Sequence, residues 1–142
     1  MTVLVVDDDI SLAELLQDQL EAEGQSCLTA RDIEEAEWTM QNVGIDAMAV
    51  DLDAPGRNPL EWLEELCLAR PDLTKSCIVI AGRELEPEEL VRVKALGASV
   101  LQKPFPIQDL HQAILRQLRE RASRSGPSKR RDVPRILRDS ER

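Results

Sequence analysis

Short runs of apolar residues alternate along the chain with longer segments in which apolar residues recur every three or four positions. The short runs predict buried strands, and the longer segments predict amphipathic helices. The predicted strands lie near residues 2–6, 25–29, 46–50, 77–81 and 98–101, and the predicted helices near 10–23, 32–43, 59–69, 86–96 and 106–121. Five βα units of this kind indicate an α/β fold with a doubly wound parallel sheet.

Local signals mark the ends of several predicted helices. Asn58 is a suitable N-cap for the third helix, and Pro59 suits its first position. Gly24 is a suitable residue to end the first helix. Trp38 and Trp62 fall on predicted helices, where packing is the expected role.

Charged residues follow three of the apolar runs at the point where each predicted strand ends. Asp7 and Asp8 follow residues 3–6, Asp51 follows residues 47–50, and Lys103 follows the last run through Gln102. The carboxyl ends of parallel strands meet at one edge of the sheet, where sites form in open α/β folds. Clustered carboxylates repel unless cations neutralise them, and hard cations such as Mg²⁺ take oxygen ligands. The pattern therefore predicts a metal-assisted site at this edge.

Residues 1–120 resemble the receiver domain of bacterial response regulators. That family has an acid pair after strand one, a phosphoaccepting aspartate after strand three and a Lys-Pro pair after strand five. A proline and a glycine follow the acceptor by four and five residues. The matching positions here are Asp7 and Asp8, Asp51, Pro55 and Gly56, and Lys103 and Pro104.

The resemblance implies a flavodoxin-like (βα)5 fold with strand order 2-1-3-4-5 and a role in two-component phosphorelay signalling. Asp51 would take a phosphoryl group from a sensor histidine kinase or a phosphotransfer protein, and Lys103 would bind a phosphoryl oxygen. In the family pattern Asp8 and Asp51 are direct Mg²⁺ ligands, Asp7 acts largely through water, and Asp53 contributes its backbone carbonyl. The output would be a contact with a downstream effector, or a homodimer through helix four, strand five and helix five.

Three positions depart from the family pattern. The Ser or Thr expected at the end of strand four falls on Ala81, or on Gly82 in the alternative register. The partner aromatic falls on Val100, and the chain contains no tyrosine. Asp53, two residues past the acceptor, is anionic, and Arg83 is a candidate to pair with it.

Charge is divided unevenly along the chain, whose net charge is −9. Residues 1–120 hold 24 acidic and 10 basic side chains, whereas residues 121–142 hold 3 acidic and 8 basic ones. A body this acidic argues against direct nucleic-acid binding by the domain. We therefore divide the chain into a receiver domain, 1–121, and a basic disordered tail or linker, 122–142. If an effector domain follows, the tail is a linker; otherwise a freestanding receiver is favoured.

The cysteines and the start of the chain bear on the compartment. Cys27, Cys67 and Cys77 are odd in number and form no C-x-x-C pair, which is typical of a protein in a reducing compartment. No signal peptide and no long uncharged apolar segment is recognisable, so we expect a cytoplasmic protein without membrane contact.

Two other functions remain open at this stage. A pseudo-receiver of the same fold, an interaction module that does not use phosphorylation, is favoured by Ala81, Val100 and Asp53. Asp51 and Asp53 also resemble the D-x-D nucleophile motif of haloacid dehalogenase-type phosphatases. That motif normally opens the chain and would leave Asp7 and Asp8 without a role, so we expect no enzyme beyond self-phosphorylation and self-dephosphorylation.

Overall fold

A computed structural model describes the backbone of residues 1–131 and the side-chain surroundings of residues 1–124. Within this part of the chain, strands and helices alternate along the sequence. The strands are β1 Thr2–Val6, β2 Ser26–Ala30, β3 Ala47–Asp51, β4 Cys77–Ala81 and β5 Ser99–Gln102. The helices are α1 Ile10–Ala22, α2 Ile33–Asn42, α3 Pro59–Ala69, α4 Pro71–Thr74, α5 Pro87–Leu96 and α6 Ile107–Arg131.

The five strands form one parallel sheet in the order β2-β1-β3-β4-β5, which confirms the predicted fold class. Strands β3 and β4 are buried along their whole length, and β1 is buried from Val3 to Val6. Burial on both faces explains why these strands read as unbroken apolar runs.

Alternate strand residues face two separate hydrophobic cores. One core lies under α1 and α6, where Leu16, Leu20 and Ile114 pack on the sheet. The other lies under α2, α3 and α5, with Leu63 among its fully buried side chains. The helices therefore cover both faces and leave the strand ends open.

The predicted caps of two helices are confirmed. The Asn58 side chain accepts a hydrogen bond from the Glu61 N–H at 3.0 Å, directly before Pro59. Gly24 follows α1 with a φ of 84°, a left-handed conformation that glycine adopts without steric cost. The cap of α3 matters for the site because it fixes where the loop after Asp51 ends.

The last helix is longer than predicted. It was expected to end near residue 121, yet α6 continues to Arg131. Arg121 and Arg124 contact the body near the predicted end of the helix, and composition alone does not reveal such contacts. Residues 132–142, the rest of the predicted tail, lie outside the described residues.

The structure also differs from the sequence expectations at two smaller points. The short helix α4 was not predicted. Trp62 is buried as expected, but Trp38 is 68% exposed, so the packing role expected for Trp38 is wrong. Among residues 1–131, no helix combines the length and the apolar character needed to cross a bilayer.

Candidate functional site

The fold brings the predicted charged residues to the carboxyl edge of the sheet. Asp7 directly follows β1, and Asp51 is the last residue of β3. On the far side of Asp51, β4 pairs with β5, and the Lys103 N–H donates to the Ala81 carbonyl at 2.8 Å. Parallel strand pairing thus places Asp7 and Lys103 beside Asp51, although they lie 44 and 52 residues from it along the sequence.

Three carboxylates and one ammonium group meet at this edge. One oxygen each from Asp7, Asp8 and Asp51 lies within 4.8 Å of the others. Lys103 Nζ lies 3.3 Å from Asp51 Oδ2 and 3.9 Å from Asp7 Oδ2. The cluster therefore joins three carboxylates to the ammonium group of Lys103.

Burial makes the charge cluster costly. Asp7 and Asp51 are each 2% exposed, whereas Asp8 is exposed. Burial and the charge of Asp51 raise the pKa of Asp7 to about 6, although the Asp9 N–H and Lys103 act against the rise. Partial burial acts to lower the pKa of Lys103, but Asp7 and Asp51 outweigh it and the net pKa is raised.

Backbone hydrogen bonds fix which carboxylate oxygens face the site. Asp7 Oδ1 accepts from the Asp9 N–H at 2.8 Å, and Asp51 Oδ1 accepts from the Asp53 N–H at 2.8 Å. Each remaining Oδ2 points towards Lys103. Among the described residues, Asp7 Oδ2 is buried with no hydrogen-bond partner. The desolvation cost of such an atom is not offset by a hydrogen bond.

The residues present fit a divalent cation of the Mg²⁺ type. The donors are carboxylate oxygens, which this ion prefers, and one of them is buried and unpartnered. The exposed carboxylate of Asp8 completes a cluster that is open to water on one side. That combination suits an ion that retains several water ligands.

Asp53 lies beside this cluster, and its side chain is not part of it. Its Oδ2 lies only 2.8 Å from the place where a Cβ on Gly82 would sit. Arg83, proposed above as its partner, instead binds Glu89 through both terminal guanidinium nitrogens at 2.8 Å. The alternative, that Asp53 and Arg83 are unrelated surface charges, fits this arrangement, because Arg83 makes its bidentate pair with Glu89.

The register places Ala81, and not Gly82, as the last residue of β4 beside Lys103. Ala81 is 1% exposed and has no hydroxyl, so this wall of the site offers no side-chain hydrogen bond. Val100 is a partly exposed residue of β5.

Sequence analysis missed the contacts that brace the loop after Asp51. The backbone of Gly56 lies against Glu34 of α2, where an added Cβ would come within 2.7 Å of Oε1. Arg57 pairs with Glu37 of α2 at 3.1 Å and with Glu65 of α3 at 2.6 Å. Gly56 has a left-handed φ of 94°, which explains why glycine occupies this position.

Comparison with known proteins agrees with this geometry. The chain is similar to Transcriptional regulatory protein CpxR of Klebsiella pneumoniae, with 30% identity over 118 residues, covering 81% of this chain and 49% of that protein. It is similar to Response regulator MprA of Mycobacterium sp. strain KMS, with 30% identity over 125 residues, covering 88% and 54%. The chain thus spans about half the length of these curated relatives.

Solved structures show the same fold. The beryllofluoride-activated NtrC4 receiver domain dimer matches with a TM-score of 0.74 and 28% identity, covering 85% of this chain and 98% of that one. A CheY-like receiver domain protein from Methanospirillum hungatei JF-1 matches with a TM-score of 0.76 and 26% identity, covering 88% and 98%. The family model described as response regulator receiver domain matches residues 3–115. The chain therefore belongs to the response regulator receiver domain family.

Proposed function

We propose that the chain is a phosphoacceptor receiver that takes a phosphoryl group on Asp51 from a histidine kinase or a phosphotransfer protein, with Mg²⁺ bound beside it. The observation that carries this proposal is the meeting of Asp51 with Asp7, Asp8 and Lys103 at one sheet edge. The family consists of signalling modules, so transfer at Asp51 is the input to a signal and not the turnover of a substrate.

The step is a phosphoryl transfer between the donor and Asp51. An oxygen of the Asp51 carboxylate bonds to phosphorus while the bond from phosphorus to the donor's histidine nitrogen breaks and leaves its electron pair on nitrogen. Lys103 lies close enough to Asp51 to bind an oxygen of the arriving group. When bound, Mg²⁺ supplies positive charge that offsets the repulsion between the anions. Asp7 and Asp8 would hold it, together with Asp51 and the backbone carbonyl of Asp53.

A small phosphodonor tests the proposal without knowledge of the kinase. Incubation with acetyl phosphate and Mg²⁺ should add one phosphoryl group, measured by intact mass spectrometry. Asp51→Asn should abolish this mass gain. Lys103→Ala should weaken any response of the domain to phosphorylation. Asp18→Asn is a suitable control, because Asp18 is an exposed acid on α1 outside the carboxylate cluster. A gain that survives in Asp51→Asn would contradict the assignment of the acceptor.

An exposed apolar surface beside the site supports a protein as donor. Ile10 directly follows the acidic segment and is 56% exposed, and Leu15 on the same helix is 53% exposed. A partner that covers these side chains would remove apolar area from water next to the carboxylates. The acidic charge of the body favours this protein partner over nucleic acid.

A second apolar surface supports the proposed homodimer. On α5 and β5, Leu90, Val91 and Val100 are 46%, 68% and 39% exposed. The related NtrC4 receiver is a dimer in its beryllofluoride-activated form. We propose the face formed by α5, β5 and α6 as the contact with a second copy or a downstream effector. Val91→Glu should lower any dimer fraction in analytical ultracentrifugation, whereas Glu88→Gln on the same helix should leave it unchanged.

The pseudo-receiver is the second candidate function. It is favoured by the absence of a hydroxyl at Ala81 and by the anionic Asp53 beside Gly82. If neither the wild type nor Ala81→Thr gains phosphate or binds beryllofluoride, the chain is an interaction module of receiver fold.

A further inference from the structure

One arginine joins the loop after Asp51 to both of the helices that flank it. Arg57 lies in residues 52–58, the loop between β3 and α3. Its Nη1 donates to Glu37 Oε2 of α2 at 3.1 Å, and its Nη2 donates to Glu65 Oε1 of α3 at 2.6 Å. Because both terminal nitrogens of the planar guanidinium are engaged, the direction of the side chain is fixed as well as its position. We call these two ion pairs the Arg57 clamp.

The acceptors of the Arg57 clamp are tied to the body of the domain. Glu37 Oε2 also accepts from Trp62 Nε1 at 3.1 Å, and Trp62 is 3% exposed. The neighbouring Gly56 lies so close to Glu34 of α2 that an added Cβ would come within 2.7 Å of its Oε1. The clamp therefore connects the loop to a buried side chain and to the surface of α2.

The first part of the same loop depends on Asp51. The Asp53 N–H donates to Asp51 Oδ1 at 2.8 Å, and the Ala54 N–H donates to the Asp51 carbonyl at 3.1 Å. The Ala54 N–H and the Asp53 carbonyl belong to one planar peptide group, so the course of the chain at residue 54 also orients that carbonyl. Under the proposed function, the Asp51 carboxylate itself takes the phosphoryl group. A support of the loop that does not involve Asp51 must therefore come from the far end of the loop.

We propose that Arg57 is a positioning residue for the metal-assisted reaction at Asp51, an inference that rests on the proposed function. The Asn58 cap fixes where α3 begins, and the Arg57 clamp fixes the course of the residues before it. That course decides where the backbone carbonyl of Asp53, a proposed Mg²⁺ ligand, lies relative to the carboxylate cluster. Arg57 acts through the loop, since its ion pairs in the described part of the chain are with glutamates outside that cluster.

Long-range charge and positioning predict opposite effects of removing this arginine. The positive charge of Arg57 acts against a cation at the acidic edge, so its loss alone would strengthen Mg²⁺ binding. Loss of the clamp would instead weaken Mg²⁺ binding, because the ion would then have to order the loop as it binds. The sign of the change in the Mg²⁺ dissociation constant therefore separates the two effects.

Titration of the full chain with Mg²⁺, followed by backbone ¹H–¹⁵N NMR signals, gives this dissociation constant. Arg57→Gln should raise it by about twofold to fivefold, the range that exposed ion pairs supply. Arg57→Lys keeps the charge without the planar pair of donors, and it should raise the constant by less. Arg70→Gln is the matched control, because the Arg70 side chain is 43% exposed against 40% for Arg57 and pairs with Asp72 instead. This control should bind Mg²⁺ as the wild type does.

A double-mutant cycle tests whether Arg57 acts through its two glutamates. In the Glu37→Gln/Glu65→Gln background, Arg57→Gln should weaken Mg²⁺ binding no further. An undiminished loss in that background, or an equal loss in Arg70→Gln, would overturn the proposal. So would an Arg57→Gln protein that binds Mg²⁺ as tightly as the wild type or more tightly. A wild type without any response to Mg²⁺ would refute the metal site of the proposed function, and the positioning role with it.

Discussion

Replacing Asp7 by asparagine should stabilise the ion-free protein at neutral pH. Asp7 is 2% exposed, and its Oδ2 has no hydrogen-bond partner among the described residues. Asparagine keeps the oxygen that accepts from the Asp9 N–H and removes the charge that repels Asp51. The substitution therefore removes a destabilising buried charge that belongs to the candidate site.

The magnitude follows from the pKa of Asp7, which burial and Asp51 raise from an ordinary 3.8 to about 6. A shift of about two units corresponds to about 3 kcal/mol. The folded state holds this proton more tightly than the unfolded state, so the contribution of Asp7 to stability is fully present below about pH 4 and is lost as pH rises to about 6. The advantage of Asp7→Asn should therefore be near zero at pH 4 and complete above pH 6.

Urea denaturation with a chelator present, at pH 4 and pH 7.5, measures this difference. The control is Asp8→Asn, which removes the same charge from an exposed carboxylate and should change stability little. Mg²⁺ should narrow the gap by stabilising the wild type. At a concentration ten times a millimolar dissociation constant, the gain is about 1.4 kcal/mol. An Asp7→Asn variant that is less stable than wild type at pH 7.5, or whose advantage is equal at both pH values, would refute the reasoning.

Two further predictions concern residues outside the carboxylate cluster. Ala81→Thr should raise the fraction of protein phosphorylated by acetyl phosphate, because one hydrogen bond to a charged oxygen contributes about 1.5–3 kcal/mol. If the mass spectra of Ala81→Thr and Ala81→Ser both match that of the wild type, this prediction is contradicted. Arg121→Ala should lower the free energy of unfolding by about 1 kcal/mol, because it removes two partly exposed ion pairs. The exposed Arg119→Ala is the control, and equal urea midpoints for the two variants would contradict the anchoring role.

The fold and the location of the site followed from the sequence for a physical reason. Strands buried on both faces must be apolar, so the ends of β1 and β3 were visible as the places where charge begins. Parallel pairing then brings Asp7 and Asp51 together whatever lies between them. The cap at Asn58 was visible for a similar reason, since its chemistry is local.

The features that sequence analysis missed depend on partners distant along the chain. Arg121 and Arg124 of α6 contact Asp46, Asp72 and Ser76, which are 48 or more residues from the arginines they meet. Arg83 lies near two acidic residues, Asp53 and Glu89. Only the three-dimensional structure shows that it pairs with Glu89. The buried face of α2, and so the exposure of Trp38, was weakly marked, because three glutamates interrupt the four apolar residues of that helix.

The contacts around Asp51 also limit how strongly a chemical change at Asp51 can alter the conformation of the rest of the domain. Towards α5, Ala81 offers no hydrogen bond to an arriving phosphoryl group. Towards α2 and α3, the loop after Asp51 is held through Arg57 and its two glutamates, which are exposed pairs. Each such pair contributes at most about 1 kcal/mol, so their loss or gain changes an equilibrium by about fivefold per pair. Under the proposed function, a strong output from this domain would therefore require a partner that binds one state of the loop directly, in addition to what the isolated fold transmits.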